Sequence, residues 1–475
     1  MQKNLLTNFS ACTSVLVGKA ASADGSTFIG RNEDSKAAWP KHFVKHAHNS
    51  AVTEFISKDT GLALTLPQES AAYTATPEWT DKFGLFEEDG INEYGVAMSA
   101  TESAYANAQV LGYDPLVAGG IAEEAMVTVV LPYVHSAREG VQRLGDLISQ
   151  SGTSETNGIL FSDQEEVWYL ESGSGHHWVA QRIPDDSYAV VSNQLSIQVV
   201  DFADTANFMS SPAIQAFASQ HHLWRTGTPF NFREIFGTQS QSDLIYNTPR
   251  VWYGQRLLNP SSKQKPMSFA LPFVRQAERP ITVEMLSQIL SSHFQGTKYD
   301  PVGQGKPKNK HKFRPISLAK TQESHILQLR PNLPTAIGGL HWLAMGVAAE
   351  SCYVPFYAGI SETPADYKVG GATYDPQSNY WAYKLLGVLV DSHYHQFNEQ
   401  LAAVQNEVHA NLLHQLEEAD QKAVTLTGTA LTDYLTKTSA QRGAYARQEF
   451  EALTATLITQ ATDRSPLNFN TDANL

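Results

Sequence analysis

The sequence predicts an α+β protein that is built on antiparallel sheets and carries additional helices toward its C-terminus. Short apolar runs separated by turn residues indicate strands near the N-terminus and again over residues 158–192. Helical patterns occupy residues 119–150 and much of the sequence after residue 392. Strands, helices, strands and helices in that order favour a layered α+β architecture over a repeated βαβ arrangement.

The first predicted element is a β-hairpin. Thr13 to Lys19 alternates between apolar and polar residues, Asp24-Gly25 supplies a turn, and Ser26 to Arg31 returns as the second strand. Cys12 therefore stands at the head of a strand, and the end of the return strand lies beside it.

More sheet is expected where Phe83 to Phe86 and Gly95 to Ala100 flank Asp89-Gly90 and Asn92. One or two helices follow over residues 119–150. Turn residues then separate four short strands that form an antiparallel meander: Gly158 to Phe161, Val167 to Glu171, His177 to Ile183 and Tyr188 to Ser192.

The C-terminal part is predicted to be helical. A helix is expected from Thr282 to Phe294, and apolar residues between Phe397 and Leu416 recur at steps of three and four on one helical face. A further helix or two continues to about Ala461. This helical segment, about 392–462, is expected to pack on the sheet, so that residues 12–475 form a single domain.

Composition restricts the class of partner. The chain has 475 residues, of which 42% are hydrophobic, and its net charge is −14, which repels phosphate backbones and anionic lipid. No stretch approaches the ~20 apolar residues that span a bilayer. We therefore expect no nucleic acid and no membrane as partners, while a homo-oligomer stays open. The basic run within residues 306–314, rich in lysine and ending at Arg314, is interpreted as a solvated surface loop.

Only two cysteines occur, Cys12 and Cys352, which excludes a disulfide framework and favours a cytoplasmic location. His42, His46 and His48 alternate with apolar residues as in a strand, and no cysteine pair or HExxH run accompanies them. Neither a metal nor an organic cofactor is expected.

The residues before Cys12 resemble a short propeptide more than a signal peptide. Only Leu5 and Leu6 are apolar before Thr7, whereas a signal peptide needs about 7 to 15 apolar residues. We call residues Met1 to Ala11 the leader, and we expect its removal to make Cys12 the first residue.

Cys12 lies in a context that suits an activated thiol, although a lone cysteine at a strand start is often only a small buried side chain. The hairpin brings the charged run 31–34 back beside it. A thiol of pKa ~8.5 gains thiolate character near a guanidinium such as that of Arg31. The α-amino group of an N-terminal cysteine, pKa ~7.7 to 8.0, can then exchange protons with the sulfur.

Longer segments carry a family resemblance. CTSVLVGKAASADGSTFIGRNEDS resembles the mature start of the dipeptidase A-type cysteine peptidases of lactic acid bacteria, and DGINEYGVAMSATES, VVSNQLSI, YNTPRVWYGQR, RPISLAKTQESHI, CYVPFYAGI and NYWAYKLL are further matches. These enzymes are N-terminal-nucleophile hydrolases, related more distantly to penicillin V acylase and bile salt hydrolase. The resemblance implies a four-layer αββα fold with antiparallel sheets, and hydrolysis of amide bonds through an acyl-enzyme on the N-terminal cysteine.

The resemblance also implies roles for five residues. Cys12 is the nucleophile, Arg31 lies beside it, and Asp34 matches the carboxylate that orients the α-amino group. Asn193 matches an oxyanion-hole side chain of the acylases, with a turn residue after a strand as the alternative. Arg250 matches their second active-site arginine, with a structural ion pair as the alternative.

Glu102 departs from the acylases, which carry an asparagine near the nucleophile at this position. A carboxylate here suits the ammonium group of a peptide's N-terminus, and a solvated charge at a strand end is an equal alternative. The departure favours a dipeptidase that cleaves short peptides with an unblocked N-terminus. Two other hypotheses stay open. One is an acylase-type amidohydrolase that acts on penicillin V or on bile salt conjugates, and the other is a catalytically silent secernin-like interaction protein.

Overall fold

The computed structural model describes residues 12–465 and 467, apart from the side chain of Glu102. The leader, predicted at Met1 to Ala11, lies outside these residues. The strands are β1 Thr13–Val17, β2 Thr27–Asp34, β3 Val44–His46, β4 Glu54–Ile56, β5 Ala63–Thr65, β6 Tyr73–Ala75, β7 Asp89–Ile91, β8 Ala97–Ser103, β9 Asn157–Ser162, β10 Val167–Ser172, β11 Trp178–Ile183, β12 Tyr188–Val191, β13 Val199–Val200, β14 Phe208–Ser210, β15 Phe230–Asn231, β16 Val274–Arg275, β17 Thr321–Leu329, β18 Gly339–Met345 and β19 Val354–Tyr357.

Helices occupy the middle of the chain and its C-terminal part. They are α1 Ala108–Tyr113, α2 Glu123–Val130, α3 Ala137–Ser151, α4 Ile214–Gln220, α5 Phe232–Phe236, α6 Asp243–Tyr246, α7 Thr248–Leu258, α8 Val283–Leu290, α9 Thr335–Gly338, α10 Asn379–Ser392, α11 Tyr394–Ala423 and α12 Gly428–Thr462. No helix among the described residues is long and apolar enough to cross a membrane.

Two larger antiparallel sheets form the framework. The first sheet has the strand order β16-β12-β1-β2-β17-β18-β19, and the second has the order β14-β11-β10-β9-β8-β7. The predicted hairpin is confirmed, because β1 and β2 are antiparallel neighbours. Every residue of β1, β2 and β17 is buried. Such complete burial requires that both faces of the first sheet are covered.

Three apolar clusters cover the sheets. Leu16 and Ile29 of the first sheet pack with Leu160 of the second in one cluster between them. On its opposite face the first sheet packs with α7, α8, α11 and α12, as Val15 and its neighbours show. The second sheet packs its opposite face on α2 and α3, where Trp168 joins the cluster. The C-terminal helices thus share a core with the first sheet.

Two strand predictions are wrong in part. Tyr188 to Ser192 is not the fourth strand of a meander, because β12 pairs with β1 in the first sheet while β9, β10 and β11 remain together in the second. Asp89-Gly90, which lies between the two expected runs, is itself part of β7, which pairs with β8. Phe83 to Phe86 contributes no named strand. Local alternation identifies a strand but does not say which sheet accepts it.

The predicted helix from Thr282 to Phe294 is shorter than expected, since α8 ends at Leu290. The interpretation of residues 306–314 as a solvated loop is also wrong at its end. The lysines near Lys306 are exposed, but Arg314 is only 9% exposed, because its guanidinium lies against β2.

Candidate active site

Several of the sequence-predicted site residues gather at one end of the central strands of the first sheet. Cys12 immediately precedes β1, Asp34 ends β2, and Thr321 begins β17 opposite Asp34. Ser14 pairs with Val191 of β12, so Asn193, two residues beyond that partner, continues toward the position of Cys12. Antiparallel pairing therefore brings side chains that are distant in sequence to the same end of these central strands.

The Cys12 side chain contacts a charged pair from β2. Arg31 Nη1 donates a hydrogen bond to Cys12 Sγ at 3.2 Å, and Cys12 Sγ in turn lies 3.3 Å from Glu33 Oε2. Arg31 and Glu33 form an ion pair of 2.5 Å. Successive side chains of a strand point to opposite faces, so residues 31 and 33 share the face that holds the sulfur. Cys12 and Arg31 are both fully buried.

The guanidinium of Arg31 is held by the second sheet. Its Nε donates to Ser99 Oγ at 2.9 Å, and its Nη2 donates to Glu88 Oε2 at 2.8 Å. Burial acts to lower the pKa of Arg31, but the charges of Cys12, Glu33 and Glu88 outweigh it and raise that pKa well above the ordinary value. A permanent cation is thus fixed beside the sulfur.

Glu88 is shared by two cations. Its carboxylate accepts from Arg31 and, at 2.7 Å, from Lys41 Nζ. Burial and the neighbouring Glu33 nevertheless raise the pKa of Glu88 to about 7, against the opposing effect of Lys41 and Arg31. The surroundings of the sulfur therefore contain a buried acid that titrates near neutral pH.

Asn193 and Arg250 are joined to Cys12 by one set of hydrogen bonds. Arg250 Nη2 donates to Asn193 Oδ1 at 2.7 Å, and Arg250 Nη1 donates to the carbonyl oxygen of Cys12. Asn193 Nδ2 donates to the carbonyl of Ser103 at 2.8 Å. The guanidinium fixes which amide atom of Asn193 is the oxygen, so Nδ2 carries a second hydrogen for another acceptor.

Asp34 lies on the other face of β2 from Arg31 and Glu33. Its carboxylate accepts from Arg314 Nη2 and from Thr321 Oγ1, both at 2.5 Å. Arg314 Nη1 also donates to Thr13 Oγ1 at 3.3 Å. Asp34 is thereby linked, through a guanidinium, to the residue that follows Cys12.

Glu102 lies in β8 opposite Gly158 of β9. Its side chain is outside the described part of the chain, so its contact with a substrate ammonium stays a prediction. Cys352 is buried in the helical side of the core, where burial raises the pKa of its thiol to about 12.

A second layer of charge supports Arg31 from between the sheets. Ser99 Oγ contacts His325 Nε2 at 2.8 Å, and His325 Nδ1 lies 3.0 Å from Asp89 and 3.1 Å from Glu323. Burial alone lowers the pKa of His325, but Asp89 and Glu323 outweigh it and raise the pKa to about 9. His325 is therefore protonated at neutral pH and donates from both nitrogens.

Among the residues that the structure describes, two groups of buried ligand-type side chains have metal-like spacing: Asp89 with Glu323 and His325, and Glu33 with Glu88 and Glu123. The first group fits a metal poorly, because a protonated imidazole has no lone pair to offer. The second group is already in contact with the cation of Arg31.

Sequence reasoning missed Glu33, Glu88, Glu123 and Arg314 as parts of this site. Period-2 alternation from Arg31 was a sufficient signal for Glu33, because both must point to one face of β2. Glu88 and Glu123 carry no comparable local signal, since they reach the site only through the packing of the second sheet and α2.

Comparison with known proteins gives a consistent result. Residues 11–407 match peptidase family C69. A probable dipeptidase of Latilactobacillus sakei is 45% identical over 468 residues, which cover 98% of this chain and 98% of that protein. A dipeptidase of Bifidobacterium longum is 39% identical over 472 residues, covering 93% of this chain and 87% of the relative. Dipeptidase A of Lactobacillus helveticus is 37% identical over 437 residues, covering 89% and 91%.

Proposed function

The chain belongs to peptidase family C69, and from this premise we propose that it hydrolyses dipeptides through a thioester on Cys12. A cysteine-type dipeptidase is what the family and its similar relatives indicate. The identity of the nucleophile and its activation are our proposal. The observation that carries it is the hydrogen bond of 3.2 Å from the permanently charged Arg31 to Cys12 Sγ.

The reaction starts once the leader is removed and Cys12 carries an α-amino group. That amine, with a pKa of ~7.7 to 8.0, takes the thiol proton as the sulfur attacks the carbonyl carbon of the peptide bond. Arg31 stabilises the negative charge on sulfur. The C–N bond then breaks, the α-ammonium returns the proton to the leaving amine, and a thioester remains.

Water completes the cycle. The α-amino group of Cys12 takes a proton from the water, and the hydroxyl adds to the thioester carbon. The C–S bond then breaks, the α-ammonium group returns the proton to the sulfur, and the acid is released as the second product. Each addition places negative charge on the former carbonyl oxygen, which needs a hydrogen-bond donor. We assign that role to Asn193 Nδ2. Its second hydrogen is directed by Arg250, which holds Asn193 Oδ1 at 2.7 Å.

Asp34 acts as a positioning residue for the start of β1. Its ion pair with Arg314, and the hydrogen bond from Arg314 to Thr13, support a role in fixing the Cys12 backbone so that the α-amino group faces the sulfur. For the substrate's own amino end, Glu102 is the candidate that the sequence supplies.

The finer fold assignment belongs to the same proposal. We assign residues 12–475 to one domain with the four-layer αββα arrangement of the N-terminal-nucleophile hydrolases. Helices on the outer face of each sheet and a shared apolar cluster between the sheets support it. A cytoplasmic location and peptide substrates without a cofactor complete the proposal.

Intact-mass measurement of an active preparation tests the mechanism directly. We expect a chain that begins at Cys12, rapid hydrolysis of Ala-Ala, and loss of turnover in Cys12→Ala. Full activity with the leader retained would refute the role of the α-amino group. Faster hydrolysis of penicillin V or conjugated bile acids than of dipeptides would instead favour an acylase, and hydrolysis of no amide at all would favour the silent protein.

A further inference from the structure

Three buried carboxylates form a cluster, and one of them, Glu33, contacts the sulfur of Cys12. Glu33 from β2, Glu88 just before β7, and Glu123 at the start of α2 each offer an oxygen within 4.8 Å of the others. Their exposed fractions are 3%, 1% and 7%, so Glu123 is the member nearest to solvent. We call these residues the acidic cluster.

The acidic cluster is short of positive charge. Arg31 pairs with Glu33 and Glu88, and Lys41 pairs with Glu88. Within the described part of the chain, Glu123 Oε1 is buried and has no hydrogen-bond partner. Burial and the charges of Glu88, Glu155 and Glu33 raise the pKa of Glu123 well above its usual value. A buried carboxyl oxygen without a partner is costly, and a cation with N–H donors beside Glu123 would satisfy this oxygen and favour the ionised carboxylate.

Bond geometry places a substrate ammonium within reach of the cluster. In a dipeptide the amino nitrogen is separated from the reacting carbonyl carbon by two bonds, or about 2.5 Å. With that carbon at an attack distance of ~3 to 3.5 Å from sulfur, the nitrogen lies within about 6 Å of the sulfur. Glu33 Oε2 is 3.3 Å from Cys12 Sγ. A carboxylate oxygen that binds this nitrogen at about 3 Å must therefore lie within about 9 Å of the sulfur, and Glu33 meets this limit.

We propose that the acidic cluster binds the α-ammonium group of the dipeptide's first residue, with Glu123 as the carboxylate that gains its partner on binding. This inference rests on the proposed function, since it assumes attack by Cys12. It names a different residue from Glu102, which the sequence suggested. The proposal also explains why carboxylates lie beside a nucleophile that a cation stabilises. These carboxylates bind the positive charge that the substrate itself carries.

The test compares two substrates that differ only in the ammonium group, Ala-Ala and its des-amino analogue propionyl-alanine. Values of kcat/KM are measured for the wild type, Glu123→Gln and Glu102→Gln, with Glu418→Gln on the exposed surface of α11 as the matched control. Removing one partner of a desolvated charge pair typically costs a factor of ~30 to several thousand. We expect Glu123→Gln to lose at least ~30-fold on Ala-Ala and to change by less than about threefold on propionyl-alanine.

Other outcomes would overturn the assignment. An equal loss on both substrates means that the cluster serves the amine of Cys12 itself, and a preference that disappears only in Glu102→Gln returns the role to Glu102. If Glu123→Gln does not fold, Glu33→Gln gives the same comparison of substrates, and an unchanged preference there overturns the proposal. Should the wild type fail to cleave Ala-Ala, or should Cys12→Ala stay active, the proposed function fails first.

Discussion

Replacing Arg31 by lysine is the sharpest test of how the site is held together. In the described part of the chain, the Arg31 guanidinium donates to seven acceptor atoms, among them Cys12 Sγ and the carboxylates of Glu33 and Glu88. A lysine ammonium keeps the positive charge but has only three hydrogens on one atom. Arg31→Lys therefore leaves several buried acceptors without a donor.

The expected cost follows from those acceptors. Each buried acceptor that loses its hydrogen bond costs about 1 to 3 kcal/mol, whereas the retained positive charge avoids the larger cost of leaving Glu33 and Glu88 without a cation. Because domains are stable by about 5 to 15 kcal/mol, the variant should fold with a clearly reduced free energy of unfolding. The sulfur also loses a directed donor, so kcat/KM should fall by about 100-fold or more.

Urea unfolding gives the stability change, and kcat/KM on Ala-Ala gives the catalytic change. The control is Arg279→Lys, an exposed arginine that should stay within about 0.5 kcal/mol of the wild type. If Arg31→Lys resembles this control in both measurements, the guanidinium does not organise the site and our account of Cys12 activation is wrong.

Three further predictions concern the thiols, metals and pH. Cys352→Ala should keep full activity and remain sensitive to thiol alkylation, because the buried Cys352 thiol has a raised pKa and the reactive sulfur is that of Cys12. Loss of activity in this variant, assayed after its fold is confirmed, would contradict the choice of Cys12 as the nucleophile. Chelators should leave kcat/KM unchanged, since sulfur and an amine perform the chemistry; activity that is lost in chelator and restored by zinc would refute this. The free energy of unfolding should fall by about 3 kcal/mol between pH 6.5 and about 9. Burial lowers the pKa of His325, but Asp89 and Glu323 outweigh it and raise that pKa to about 9. The folded state therefore keeps a proton over this pH range that the unfolded state has already released. His325→Gln should flatten that part of the urea-derived stability curve, and an unchanged slope would show that another group titrates there.

Local sequence patterns predicted many strands and helices and the β1–β2 pairing, but they did not predict which strands pair when these are distant in sequence. The sequence predicted the β1–β2 hairpin and the helix that contains Phe397, because turn residues and apolar spacing are local signals. The pairing of β12 with β1 could not be predicted, because a strand shows the same alternation of apolar and polar residues in either sheet. Complete burial of β2 blurred even that alternation, since both of its faces meet a packed layer.

The same distinction explains which site residues the sequence revealed. Cys12 and Arg31 stand on neighbouring strands of one hairpin, so their contact follows from a turn of a few residues. Glu88 and Glu123 join them only after the second sheet and α2 pack against β2, and no spacing in the sequence encodes that approach. Burial then changes what these groups can do, because Glu88 is an ordinary surface acid in sequence terms but titrates near pH 7 in its buried place. Substrate recognition by such groups is a property of tertiary packing, so it should be lost in variants that loosen α2 even where Cys12 and Arg31 are untouched.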